Sequence, residues 1–313
     1  MNKQATNWTL LAVLLVVWGL GYPIVKFGLV YSPPAAFTFY RTLIGTLSSV
    51  PLVISSIRSK KVLVNFRNLR FLSATLLFGL TGTVFFLGFW YTGAALVDPG
   101  IAAVIIYTYP IFIVLLSVLF LSEKLSLLRI VGVFAGFVGT FILLTDGNIG
   151  VVSINPVGFV LLLGASASSA VSFIVYQKWL TTEDRVSVNV IQLTFSTVLL
   201  LVWTLLSDPR SLYARQMINP IFIAVLIFTG VLSTMLAFLI LMTLLRNRGS
   251  VWLAEWLFLV PVIALFSSVI LLSEQIHTAQ LAGFAVIIFG IAIVNNSAAK
   301  LRKLRTAFSM KHA

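Results

Sequence analysis

Along this chain, apolar residues come in stretches of about twenty, separated by short polar segments rich in Pro, Gly, Asn and Asp. A helix rises about 1.5 Å per residue, so roughly 20 apolar residues cover the ~30 Å hydrocarbon layer of a bilayer. Windows of that size predict spans near 8–29, 34–56, 71–93, 99–121, 126–145, 156–178, 186–206, 220–243, 251–272 and 277–295. Punctuation between them agrees. Asp98-Pro99, Asn155-Pro156 and Asn219-Pro220 each place a capping side chain before a proline at the first helical position. Ser32-Pro33-Pro34 breaks the chain between the first two spans, and Asp146-Gly147-Asn148 ends the fifth. The first apolar stretch is long enough to span, and no small-residue cleavage site closes it as a signal peptide would require. The expected fold is therefore all-alpha: a polytopic membrane protein of ten transmembrane helices.

The two halves repeat each other at an offset of 151 residues. Pro110 precedes IFIVLLSVLFLSE, which ends at Glu123, and Pro261 precedes VIALFSSVILLSE, which ends at Glu274. At the same offset Gly79 matches Gly230, Gly132 matches Gly283 and Gly139 matches Gly290. Five spans per copy is an odd number, so the second copy enters the membrane from the opposite side. Residues 8–145 form the first unit, 156–296 the second, inverted one, and 297–313 a basic tail. Two inverted copies that exchange conformations are what alternating access needs, with a solute held between them near the midplane.

Composition and charge sharpen this picture. Of 313 residues, 60% are hydrophobic and 9% charged, too few polar groups to cover a water-facing surface. The net charge of +13 is one-sided. With the N-terminus inside, 17 of the 21 Lys and Arg fall in cytoplasmic segments and only Arg210 and Arg215 outside, leaving Lys26 and Arg41 within spans. Both termini are then cytoplasmic, and the tail lies against anionic lipid headgroups rather than nucleic acid. With no cysteine and only His277 and His312, the chain offers no thiol nucleophile and no histidine metal site. A GxxxxGK[ST] phosphate loop is absent as well, so neither a cofactor nor direct use of ATP is expected.

Trp18-Gly19 with Pro23, Arg41, Pro110 with Leu121-Ser122-Glu123-Lys124-Leu125, and Pro261 with Leu272-Ser273-Glu274-Gln275-Ile276 resemble the drug/metabolite transporter superfamily. The likeness is to its ten-helix branch with two EamA domains and covers about residues 8–296. The second copy departs from the first in having Ile174 where the offset from Pro23 requires proline, and Gln192 opposite Arg41. The resemblance implies a carrier of the bacterial inner membrane. Its central cavity is lined by the first, third, fourth, sixth, eighth and ninth helices, and its cargo is amino acids or related metabolites, exported in many members by ion or proton exchange.

Candidate residues follow, each with a plainer alternative. Lys26, near the outer end of the first helix, snorkels to headgroups or holds a solute carboxylate. Arg41 binds lipid phosphate or a neighbouring carbonyl, or serves gating or faces the substrate. Glu255, flanked by Trp252 and Trp256, either pairs with Arg246 or Arg248 or carries protons, as buried carboxylates do when their charge is hard to solvate. Glu123 and Glu274 end matched helices and either cap them or tie a closed gate. Pro110 and Pro261 each leave a carbonyl of the preceding turn without its amide partner, available to a solute or water. Tyr107 and Trp256 stand beside them, and Tyr22, Phe86 and Tyr91 are further wall candidates. In the sixth helix Ser166 and Ser169, within a run of small residues, either serve close packing or supply hydroxyls. The leading expectation is a secondary exporter, working as a monomer or weak homodimer with a small-molecule solute and membrane lipids as its partners. A facilitator or importer, and a membrane-embedded enzyme, are the alternatives.

Overall fold

The computed structural model describes residues 3–58, 68–97, 99–145, 155–212, 218–272 and 275–311. Asp98 and Glu274 therefore lie outside the described residues, as do several of the loop charges. Among the described residues nine helical spans are long and apolar enough to cross a membrane: α1 (Gln4–Tyr31), α2 (Pro34–Ser56), α3 (Leu69–Ala94), α4 (Ile101–Leu121), α5 (Leu127–Thr145), α6 (Pro156–Leu180), α7 (Arg185–Ser207), α8 (Pro220–Arg248) and α9 (Ser250–Leu271). The tenth, α10, has a shorter apolar part, Thr278–Val294, and its helix continues to Lys311 through the basic segment. The protein is thus an all-α polytopic membrane protein.

Local chemistry explains the helix starts. The Asn155 Oδ1 accepts from the Val157 and Gly158 amides at 2.9 and 3.1 Å, and Asn219 does the same for Ile221 and Phe222 at 2.9 and 3.2 Å. Pro23 is carried inside α1 without ending it. In α2 the helix is interrupted at Ser49, two residues before Pro51, whose missing amide removes the bond to Leu47. Pro110 and Pro261, expected within continuous spans, instead follow true breaks: α4 turns at Tyr107–Thr108 and α9 at Phe258. These breaks are themselves 151 residues apart. Wide π-type turns occur at Leu80–Phe85 in α3 and Phe228–Leu236 in α8, each loosening the ladder in the middle of a span.

Packing between helices is reciprocal. The pairing of α1 with α9 has its counterpart in α6 with α4, that of α2 with α8 in α7 with α3, and that of α3 with α6 in α8 with α1. Thr46 and Thr197, one offset apart, share a hydroxyl–hydroxyl bond of 2.9 Å. The Cβ that Gly79 lacks would lie 3.0 Å from the Gln192 carbonyl, and that of Gly230 2.8 Å from the Arg41 carbonyl. Along α5 and α10, a Cβ at Gly132 would meet the Gly290 carbonyl at 2.8 Å and one at Gly139 the Gly283 carbonyl at 2.7 Å. Backbones approach this closely only because these positions carry no side chain. Gly139→Ala is therefore expected to destabilise the purified protein by roughly 1–3 kcal/mol, the usual cost of overpacking. Gly164→Ala, whose methyl would meet nothing nearer than 3.4 Å, is expected to leave the unfolding midpoint in detergent unchanged.

Candidate functional site

A cavity of about 970 Å³, open space at its mouth included, lies in the middle of the bundle. One face of α1 supplies Trp18, Gly21, Tyr22 and Val25, spaced three and four residues apart as a single helix face must be. In the same register α6 supplies Ser169, Ser172 and Phe173. From α3 come Gly82, Phe86, Leu87 and Trp90, and from α8 Ser233, Thr234, Phe238 and Leu241. Ile106, Tyr107 and Tyr109 enter from the break in α4, Val260 from the break in α9, and Arg41 from α2. The π-type turns bring Gly82, Ser233 and Thr234 to the wall, and the helix breaks bring Tyr107 and Tyr109.

The chemistry of the wall is uneven although its positions match. Trp18, Tyr22, Trp90 and Tyr109 are answered one offset later by Ser169, Phe173, Leu241 and Val260. On the first-copy side the rings touch one another: Tyr22 lies 5.5 Å from Trp90 and 6.1 Å from Tyr107, and Tyr107 lies 5.9 Å from Tyr109. This is an aromatic box with polar edges. Arg41 is buried in the wall. Its Nε donates to Thr234 Oγ1 at 2.7 Å, Nη1 to the Tyr91 hydroxyl at 3.2 Å, and Nη2 to the Ser233 carbonyl at 3.2 Å. Trp18 Nε1 donates to that same carbonyl at 3.3 Å.

Toward the end of the bundle where α1 begins, side-chain hydrogen bonds tie α4, α6 and α9 together. Gln177 Nε2 donates to Glu123 Oε1 at 3.3 Å, its Oε1 accepts the Ser250 amide at 2.5 Å, and the Ser250 hydroxyl meets that of Ser117 at 2.8 Å. Two backbone conformations set this cluster. Ser122 ends its helix in the left-handed region at φ 54°, and Gly249 turns the chain into α9 at φ 85°, where a side chain would be strained. Glu255 lies nearby, 3% exposed, with its Oε1 3.2 Å from Arg129 Nε. The N–H does not point along that line, so the contact is an ion pair without a hydrogen bond to that oxygen. This corrects the expected pairing with Arg246 or Arg248. Arg248 stacks on Trp252 at 4.6 Å and Trp8 at 5.7 Å instead, because a guanidinium beside half-buried indole faces gains a cation–π contact that a partner buried deeper cannot offer.

The family question is settled by a match of the EamA-like transporter family over residues 6–145 and again over 156–296. The chain belongs to that family. It is a secondary transporter of small solutes, not an enzyme. The EamA protein is 30% identical to the uncharacterized transporter YvbV of Bacillus subtilis over 91% of this chain and 90% of that one. It is 27% identical to a probable amino-acid metabolite efflux pump of Salmonella typhimurium, over 90% and 92% of the two chains. A crystal structure at 17% identity shares its fold with a TM-score of 0.77, over 95% of this chain and 99% of the other.

Of the residues singled out from sequence, Tyr22, Arg41, Phe86, Tyr107 and Ser169 line the EamA cavity. Tyr91 stands one step behind it as a partner of Arg41, and Ser166 is engaged with Thr108 at 2.6 Å. Pro110 and Pro261 shape the breaks without facing the cavity. Lys26 is exposed beyond Val25. Trp252 and Trp256 pack on Trp8 at 5.5 and 5.0 Å, away from the cavity. Sequence reasoning missed Trp90, Tyr109, Ser172, Phe173, Ser233, Thr234 and Phe238 as wall residues. The offset of 151 applied to Tyr22 finds Phe173.

Proposed function

We propose that this transporter exports amino acids or related small metabolites by alternating access between two inverted five-helix copies, with both termini in the cytoplasm. The observation that carries the reading is the cavity wall, built from matched positions of α1 and α6, α3 and α8, and α4 and α9. Reciprocal packing across the Thr46–Thr197 contact supports a pseudo-two-fold axis in the membrane plane. The wall has few polar groups and many rings, a chemistry for an amphipathic solute. The efflux-pump names of the Salmonella typhimurium and Escherichia coli relatives favour amino-acid metabolites. In this orientation the Glu123–Gln177–Ser250 cluster closes the cytoplasmic mouth, and Glu255 beside it is the candidate proton carrier.

Purified protein in liposomes, offered a panel of radiolabelled amino acids and their derivatives, is expected to show saturable counterflow for a subset of them. Absence of counterflow across the panel would count against the substrate class. The topology has its own test, because the chain contains no cysteine. Lys124→Cys and Gln275→Cys, one offset apart, are expected to react with an impermeant maleimide from opposite faces of the membrane. Reaction from one face would refute the inversion.

A further inference from the structure

Arg41 and Glu255 are the two buried ionisable side chains of opposite sign among the described residues, and only Glu255 has a counter-ion. The Arg41 guanidinium, 8% exposed, is held by the Thr234 and Ser233 hydroxyls, the Tyr91 phenol and the Ser233 carbonyl, all neutral. Among the described residues no carboxylate lies within ion-pair distance of it. A buried charge without an opposite charge is costly, and proteins keep one where something else supplies its partner.

A purely structural role does not account for the charge. Gln192, one offset from Arg41, is fully buried and accepts from Thr83 Oγ1 at 3.0 Å, and Thr83 is itself one offset from Thr234. The same bridge between neighbouring helices is thus made in the second copy by a neutral amide. What Arg41 adds is a positive charge in the cavity wall and, of its five N–H donors, those not spent on Thr234, Tyr91 and Ser233. The group is also fixed in place. Thr234 donates onward to the Thr229 carbonyl at 2.7 Å, and Trp18 shares the Ser233 carbonyl, so the guanidinium sits in a preset frame.

We infer that the solute is an amphipathic organic anion whose carboxylate bonds to Arg41 while its apolar or aromatic body lies against Trp18, Tyr22 and Trp90. This rests on the transport reading above and narrows it. With one cation and no acid among the described residues of the wall, the cavity favours a net monoanion over a zwitterion, and a zwitterion over an amine. A guanidinium and a carboxylate form a charge-assisted bond stronger than a neutral pair, and low local dielectric strengthens it further.

The test is a charge series on one skeleton: 3-phenylpropionate, L-phenylalanine, 3-phenylpropionamide and 3-phenylpropylamine, titrated against the full chain in nanodiscs by tryptophan fluorescence, with Trp18 and Trp90 in the wall as reporters. The carboxylate is expected to bind at least about 10-fold tighter than the amide, the amine not saturably, and the zwitterion in between. Arg41→Gln is expected to erase the carboxylate-over-amide preference, and Arg41→Lys to keep part of it. Equal affinities across the series, no binding of the carboxylate, or an unchanged ratio in Arg41→Gln would overturn the inference. Because the series on the native protein needs no substitution, an unfolded variant leaves it decisive. Counterflow of the same four compounds separates the two readings. Transport without regard to charge rejects the anion site and upholds the carrier, whereas carboxylate binding without transport does the reverse.

Discussion

Oxidising the double variant Ser117→Cys and Ser250→Cys is expected to bring solute counterflow down to the background of empty liposomes, and reduction is expected to restore it. The two hydroxyls stand 2.8 Å apart where α4 and α9 meet, close enough for a disulfide once sulfur replaces oxygen. No native cysteine competes for the bond. The physical reason for a large effect is that this contact joins matched helices of the two copies at the closed end of the cavity. If transport requires that end to open, α4 and α9 have to separate there, and a covalent link forbids it. Gln177 marks the same boundary, since it bonds at once to Glu123 and to the start of α9. Gln177→Ala is expected to do the opposite in milder form. It removes two hydrogen bonds, worth together about 1–3 kcal/mol, and shifts the population toward the open end. A maleimide reaction at a cysteine placed behind the cluster is expected to accelerate accordingly. Full transport by the oxidised double variant would mean that this end never needs to open.

Much of the architecture was readable before any coordinates because the bilayer imposes length and apolarity on each span, and Asn-Pro starts mark two of them. Residues such as Gly132 and Gly139 signalled their role by recurring one offset later, and the structure places them where backbones touch. The cavity was harder to read. Tyr107 is legible because it stands beside Pro110 at a break in its helix, but Ser233 and Thr234 reach the wall through a π-type turn that leaves no mark in composition. Trp252 and Trp256 were misleading for a related reason. A tryptophan near a span end serves interfacial packing as readily as solute contact, and here both close on Trp8, Trp252 also under Arg248. Glu255 was recognised as unusual by its position in an apolar span, but its partner, Arg129, comes from a helix 126 residues away in sequence. Only tertiary packing brings them together.

That pair gives the second large expected effect. Among the described residues Glu255 is the sole buried acid, and the charges acting on it are Arg129, 3.2 Å away, and Glu123 of the Glu123–Gln177–Ser250 cluster at the same end. On the proposed reading, protonation of this carboxylate loosens its ion pair and so links a proton to the neighbouring Glu123–Gln177–Ser250 cluster. Glu255→Gln keeps the shape and removes the titrating group, so accumulation driven by a pH gradient is expected to vanish while counterflow of solute persists. Retained proton-driven accumulation would remove Glu255 from the coupling path. Arg129→Gln is expected to behave differently, as an injury to stability first. It strands a carboxylate with 2% side-chain exposure, whereas Glu255→Gln strands a guanidinium with 28% exposure that water still reaches. Breaking a buried pair by removing one partner costs on the order of 3–5 kcal/mol while the remaining charge persists, so the comparison is made at alkaline pH, where the Glu255 carboxylate cannot neutralise itself by taking up a proton. The unfolding midpoint of Arg129→Gln is therefore expected to fall well below that of Glu255→Gln. The reverse order would place the weight of the contact on Arg129 as a headgroup anchor, with Glu255 merely its neighbour.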